Sequence, residues 1–340
     1  MKFFNVLLGV VFCLVSCNNQ KSLFKLQRVK GSALGTTYGV VYFSSKKIVG
    51  IEKSLDSLFS AVNNSMSTYI LTSDISKINR GDRTLVVDQM FRDVFKLSKE
   101  IHKETKGYFD PTVGKLVNAW GFGPKKLKLT MNNRTVDSLR QYVGFSKVSL
   151  AKNNILYKEN SNIILDFNAI AKGYCIDRIA TYLDTKNIKN YLIELGGELI
   201  AKGENLKKQS SWKVGIDDPN QKETRTLIST LSLNNRAMAT SGNYRKFRID
   251  KVTGKKYVHT INPLTGYTQI SQVLSVSVLA NNCATADAYA TAFMAMPLEE
   301  TKKIVELKKE LDIYIVYSNP KSKIEVFTSK GFKEVLNKIN

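Results

Sequence analysis

The sequence predicts an α+β fold, with mixed sheets and flanking helices in one compact two-lobed unit. Three observations carry this reading. Strand-like and helix-like runs mix without the regular strand–helix–strand rhythm of a doubly wound protein. No Pro- or Ser-rich linker divides the chain after Lys30, and there are no internal repeats. The 340 residues, less a leader, are enough for one large core or two intimate ones.

The leader reads MKFFNVLLGVVFCLVSC. Lys2 supplies a short positive region, and residues 3–15 are mostly apolar but too few to span a bilayer comfortably. Leu14-Val15-Ser16-Cys17 resembles a bacterial lipobox, which implies cleavage before Cys17 and a lipid on that cysteine. The expected organisation is a lipoprotein signal peptide over 1–16, a lipidated tether over 17–30 and a folded domain over 31–340. The mature chain is then expected on the periplasmic side of the bacterial envelope, anchored rather than spanning, because no later run has 18 consecutive apolar residues.

Within the domain, residues 39–43 (GVVYF) read as a strand after the turn-rich GSALGTT. Residues 46–63 read as a helix, with Ile48, Ile51, Leu55, Leu58 and Phe59 at helical spacing. Further helices are expected over 87–105 and 137–142, and two strand-like runs over 155–166. Residues 171–187 form a helix with Ile176, Ile179, Ala180 and Leu183 inward. Residues 191–203 read as two buried strands about a Gly-Gly joint. Strands continue over 212–216, 226–233 and 237–240, then a hairpin over 247–259 turning at Thr253-Gly254. A strong strand at 273–279 precedes a helix from Ala284 that stops at Pro297. A helix over 299–309 and a hairpin of 312–317 with 323–328 close the chain.

The formal charge is +22. The lysines are dispersed and no aromatic–basic motif accompanies them, so nucleic acid is not the expected partner; a membrane surface, an acidic partner or plain solvation accounts for the excess. With Cys13 in the leader and Cys17 lipidated, only Cys175 and Cys283 remain, which excludes a disulfide scaffold. Both lie among small and apolar residues and read as buried free thiols. GxGxxG, Walker A, HExxH and paired CxxC patterns are absent, which weakens dinucleotide-fold, P-loop and zinc readings.

Two stretches point to chemistry. In CATADAYATAFMAM (283–296), Asp287 and Thr291 are four apart, so a carboxylate and a hydroxyl share one helix face. Hard cations such as Mg2+ take such oxygen ligands, completed by a backbone carbonyl, phosphate and water. In DFNAIAKGYCID (166–177), Asp166, Lys172 and Gly173 stand where a strand turns into a helix. A positive charge and free N–H groups there suit a phosphate. His259, in YVHTINPLTGY, sits on a strand running into a fixed loop and is suited to relay a hydroxyl proton. The loops GSALGTTY (31–38) and GYFDPTVGKLVNAWGFG (107–123) combine glycines with aromatics; they can sandwich a planar ring or simply form core turns.

Taken in order, GSALGTTY, MSTY with SDISKIN, GYFDPTVGKLVNAWGFG, DFNAIAKGYCID, LIELGGEL, ATSGNY, HTINPLTG and CATADAYATAFMAM resemble the ApbE family, the FAD:protein FMN transferases, from about 31 to 296. The resemblance implies a lipid-anchored, Mg2+-dependent enzyme. It would transfer the FMN half of FAD to a threonine hydroxyl of an acceptor protein, a subunit of a membrane redox complex, and release AMP. It implies Mg2+ on Asp287, Thr291 and the backbone carbonyl of Ala169. It implies FAD against Leu34, Tyr69, Tyr108, Phe109, Asp110, Asp166, Lys172 and Ile261, with Asp287 or His259 deprotonating the threonine. Leu34 stands where the family usually has methionine, a change of little volume. Ala290 stands where some members carry a further carboxylate. A Mg2+-dependent FAD pyrophosphatase and a non-catalytic FAD-binding lipoprotein are the alternatives.

Overall fold

In a computed structural model, the described residues are 23–125, 129–219, 226–243, 247–249, 256–268, 272–321 and 323–337. Cys17 and the expected turn at Thr253-Gly254 lie outside them. The first half contains β1 (Lys25–Ala33), β2 (Thr36–Ser44), α1 (Ile51–Met66), α2 (Asp74–Asn79), α3 (Gln89–Glu104), α4 (Gly114–Ala119), α5 (Asn133–Arg140), β3 (Val148–Leu150), β4 (Leu156–Lys158) and α6 (Ala171–Thr185). The second half contains β5 (Tyr191–Leu195), β6 (Glu198–Lys202), β7 (Trp212–Asp217), β8 (Leu227–Leu233), β9 (Arg236–Gly242), β10 (Phe247–Ile249), β11 (Lys256–Val258) and β12 (Val273–Ala280). It closes with α7 (Cys283–Ala295), α8 (Leu298–Leu307), β13 (Asp312–Ser318), β14 (Ile324–Thr328), α9 (Lys330–Val335) and β15 (Leu336–Asn337).

The α+β expectation holds. An eight-stranded sheet in the order β1-β2-β5-β6-β9-β12-β13-β14 forms the spine, and each neighbouring pair is antiparallel. Strand alternation assigns its two faces. Ala237 and Ala239 of β9, with Ile313 and Ile315 of β13, join the main core shared with α1, α3, α6 and α7. Met238, Tyr314 and Val316 point the other way, onto Trp212 and Leu231 of the small β7-β8-β15 layer and Phe332 of α9. A third apolar cluster gathers Leu116, Trp120, Phe122, Leu139 and Ile261 under α4 and α5.

Helix α7 is buried on nearly every face, as its alanine-rich sequence requires. Asn282 caps it by accepting from the Thr285 N–H, and Met296 and Pro297 end it. Gly173 allows α6 to lie against its start: a Cβ there would stand 2.3 Å from the Cys283 carbonyl oxygen. Cys175 and Cys283 are both buried free thiols. Burial pushes Cys175 up to about 12 and holds Cys283 well above its ordinary value. Among the described residues no helix is long and apolar enough to cross a membrane.

Several expectations are corrected. Strand β1 begins at Lys25, so residues 25–30 pair into the sheet instead of forming tether; Val29 is buried against the core, which a tether would not provide. The first helix starts at Ile51, not at 46, because Gly50 before it takes a left-handed backbone (φ 70°). The second run within 155–166 is not a strand. Ile164 makes one parallel bridge with Val113, and the Asn79 amide clamps Leu165 with two 2.8 Å bonds, acting as a substitute neighbour. The six-residue helices α2, α4 and α9 were not expected, being too short to display a period.

Candidate active site

The site lies where the sheet ends in tight turns. Strands β1 and β2 join through Leu34 (φ 49°) and Gly35 (φ 75°), with Ala33 opposite Thr36. Two successive left-handed residues make this a twisted two-residue hairpin turn, and Leu34 packs its half-buried side chain on the main core. The β2–β5 pairing carries the edge to Gly196, whose N–H donates to the Thr37 carbonyl. The Gly196-Gly197 turn then delivers Glu198 as the first residue of β6.

Glu198 is buried, and its Oε1 accepts from Lys172 Nζ at 2.6 Å. Its Oε2 is buried with no hydrogen-bond partner among the described residues. Lys172 stands in the first turn of α6, as the motif predicted, but its charge is already committed to a carboxylate that sequence reasoning did not single out. Next to it, the Gly173 N–H donates to Asp287 Oδ2 at 3.1 Å, tying α6 to α7. In a regular helix that N–H would bond to the carbonyl four residues back, which is that of Ala169.

Asp287 is 3% exposed. Burial pushes its carboxyl up to about 7; Lys172 opposes the rise, and the charges of Glu198 and Asp177 add to it. Asp177, on the same helix as Lys172, accepts from the Cys283 and Ala284 N–H groups at 2.7 and 2.8 Å. It thereby caps the start of α7, while burial pushes it up to about 6. One helical turn beyond Asp287, the Thr291 hydroxyl lies 3.5 Å from Ser241 Oγ at the end of β9.

From Ser241 the site continues into the loop around 260. Asn243 accepts from the Thr260 hydroxyl at 3.2 Å. Ile261 is buried in the third apolar cluster, and His259 lies edge-on to Phe122 with ring centroids 6.5 Å apart. On the other side of Lys172, the Asp166 N–H donates to the Pro111 carbonyl at 2.7 Å. Asp166 also accepts from the Asn168 N–H, and Asn168 reaches Thr68 beside Tyr69. The Tyr69 phenol is pushed up by desolvation and then by the Asp166 charge.

Asp110 is buried and accepts from the Thr112 and Phe145 N–H groups. Burial drives its carboxyl upward, while Thr112 and His102 oppose the rise. His102 Nδ1 lies 2.9 Å from the Phe109 carbonyl and 3.6 Å from Asp110 Oδ2. It therefore anchors the Tyr108–Phe109–Asp110 segment from the last turn of α3. A cleft of about 580 Å³ opens between Asp110, Gly107, Arg140 and Leu264.

Contacts thus link most of the expected residues into one band: the Asp110 segment to Asp166 and Tyr69, and Lys172 through Gly173 to Asp287. Thr291 continues the band through Ser241 and Asn243 to the loop holding His259 and Ile261. Leu34 joins it through the sheet edge, and Ala169 by lying between Asp166 and Lys172. Reasoning from sequence missed Glu198, Asp177, Ser241 and His102. The one visible signal was a glutamate directly after the Gly-Gly joint of two buried strands.

This arrangement of sheet and helices is the fold of solved flavin transferases. The flavin transferase ApbE from Vibrio cholerae superposes with a TM-score of 0.81 at 29% identity, covering 92% of this chain and 99% of that one. The apbe protein from Thermotoga maritima superposes at 0.80 and 27% identity, covering 92% and 100%. The chain belongs to the ApbE family, whose family model matches residues 34–315. The FAD:protein FMN transferase of Haemophilus influenzae is 31% identical over 322 residues, 92% of this chain and 91% of its own. That of Vibrio cholerae serotype O1 is 31% identical over 344 residues, covering 99% and 100%.

Proposed function

We propose that this protein is an FAD:protein FMN transferase. It moves the FMN half of FAD onto a threonine hydroxyl of an acceptor protein and releases AMP. The observation that carries the chemistry is the buried group of Asp287, Lys172 and Glu198. Lys172 pairs with Glu198 and its charge is also felt at Asp287, whose carboxyl is held up near 7, and Glu198 Oε2 has no hydrogen-bond partner among the described residues. A buried excess of negative charge of this kind calls for a cation.

The residues fit Mg2+: a carboxylate (Asp287), a hydroxyl one turn on (Thr291) and the Ala169 backbone carbonyl would hold it, with FAD phosphate oxygens and water completing the shell. Bound there, Mg2+ would offset the negative charge of the departing phosphate. Lys172 adds positive potential beside the pyrophosphate. Leu34, Tyr69, Ile261 and the Tyr108–Phe109–Asp110 segment would position the flavin and adenine rings. The threonine oxygen forms the new bond to the FMN phosphorus as the bond to the AMP phosphate oxygen breaks. His259 is assigned the threonine proton, because a carboxylate committed to a cation is a poor base.

The anchoring reading accompanies this one. Lipid on Cys17 would hold the enzyme at the periplasmic face of an envelope membrane, within reach of an acceptor subunit of a membrane redox complex; the lipobox-like Leu14–Cys17 stretch supports it.

The test is a mass spectrum of a threonine-bearing acceptor domain incubated with this protein, FAD and Mg2+. Gain of one FMN mass, lost on chelation, is expected. Free FMN and AMP with acceptor unmodified would make the protein a pyrophosphatase, and bound but intact FAD would make it a carrier.

A further inference from the structure

The register of the main sheet separates its two ends. Lys25, Ser44, Tyr191, Lys202 and Arg236 mark one end. Leu34, Leu195, Glu198 and Gly242 mark the other, which is the site end. The chain enters β1 at Lys25 and needs nine residues to reach the Leu34 turn, about 30 Å at strand rise.

The entry end is basic. Lys46 and Lys47 follow β2, Lys186 and Lys189 precede β5, and Lys207 and Lys208 follow β6; all six are exposed. The acids at this end are Glu52 on Lys47, Asp184 on Lys202, Asp312 on Arg236, and exposed Glu204 and Glu310. Apolar side chains stand out at the same end, Leu23 at 74% and Val49 at 97% exposed.

We infer that this end of the sheet is a membrane-docking face, taking the anionic lipid headgroups of the bilayer that holds the anchor. The inference rests on the lipid-anchored reading of Cys17. Three facts favour a bilayer. Lys25 lies eight positions after Cys17 in the sequence; β1 begins at this end of the sheet; and lysines around exposed apolar side chains suit an anionic interface. The consequence is an oriented enzyme, with its site lifted about 30 Å above the headgroups.

The full-length lipidated protein is placed in vesicles with and without anionic phospholipid. A donor dye is attached through Ser45→Cys at the basic end or Lys321→Cys at the site end, with acceptor dye on the headgroups. The buried native thiols stay unlabelled. Energy transfer from position 45 should exceed that from position 321 on anionic vesicles. The contrast should vanish in about 1 M salt, where screening acts within about 3 Å. It should also vanish in the variant Lys46→Glu/Lys189→Glu/Lys208→Glu.

Flotation reads the anchor separately. A protein that floats in high salt but shows equal transfer from both positions keeps the anchor and overturns the docking face. One that floats only on anionic vesicles at low salt keeps the face and overturns the anchor. Failure to float in either condition overturns both. Retained contrast on neutral vesicles would overturn the headgroup assignment, because the anchor alone would then orient the protein.

Discussion

Lys172 Nζ and Glu198 Oε1 meet at 2.6 Å, joining the first turn of α6 to the first residue of β6. The pair is lopsided: the glutamate side chain is 4% exposed and the lysine 30%. The carboxylate therefore acts as a fixed post, and the ammonium is what the site presents outward. Glu198→Gln should keep the fold but leave Lys172 poorly placed. With the cost reduced for the lysine's partial exposure, about 1–2 kcal/mol is expected, a loss of turnover of roughly tenfold or somewhat more. A double variant with Lys172→Gln should lose less than the product of the two single losses, because both remove one interaction. Strict multiplicativity in a steady-state assay would show that the two act apart.

Asp287→Asn should lower FMN transfer by about a hundredfold or more, since the proposed Mg2+ site then loses its carboxylate ligand. Stability should move the other way. The folded carboxyl titrates near 7, above its unfolded value of 3.8, so the folded state holds its proton more tightly. Its contribution is full below the unfolded value and is lost as pH rises towards 7. Without metal at pH 8 the asparagine variant should melt higher than the parent. Added Mg2+ or Mn2+ should raise the parent's melting point and leave the variant's unchanged. A variant that still responds to the ion would remove Asp287 from the ligand set.

The Asp177 carboxyl, held near 6 by burial, makes a second pH statement. The native state again binds the proton more tightly, so this group favours folding below about 4 and ceases to as pH passes 6. A shift of about two units corresponds to about 3 kcal/mol. Urea midpoints for the parent and Asp177→Asn, measured from pH 4 to 7, should therefore diverge, with the parent losing ground as pH rises. Parallel profiles would mean that the two N–H groups at the start of α7 already offset the burial.

Gly173→Ala places a methyl 2.3 Å from the Cys283 carbonyl oxygen and 2.8 Å from the Ala284 Cα. Both obstacles are backbone, so α6 and α7 must separate. A destabilisation of about 2–3 kcal/mol is expected. Turnover should fall as well, because the Gly173 N–H bond to Asp287 lengthens with the gap. Chemical denaturation and the transfer assay check the two effects on one preparation.

What the sequence disclosed follows physical scale. Helices α3, α6 and α7 and strand β12 were readable because long apolar periods and a Pro297 stop are local facts. Asp287 and Thr291 were readable because their spacing fixes a shared face before any tertiary contact forms. Glu198 was not, because its importance is a meeting with Lys172 across 26 positions of chain. His102 was hidden for the same reason: it matters through the carbonyl of Phe109, on a turn whose shape depends on Gly107 at φ 86°. Strand β1 was mistaken for tether because its exposed Lys25, Arg28 and Lys30 look like solvated chain. They are the charges with which an edge strand discourages further pairing.

The two thiols have a consequence for how the enzyme withstands its surroundings. Attack on a disulfide or a peroxide requires a thiolate, and burial keeps Cys175 and Cys283 protonated far above neutral pH. Neither can be drawn into mispairing once the chain has folded, and neither has a bridge to lose to a reductant. The folded domain should keep the same activity across glutathione ratios that would switch or inactivate a protein with a reactive cysteine.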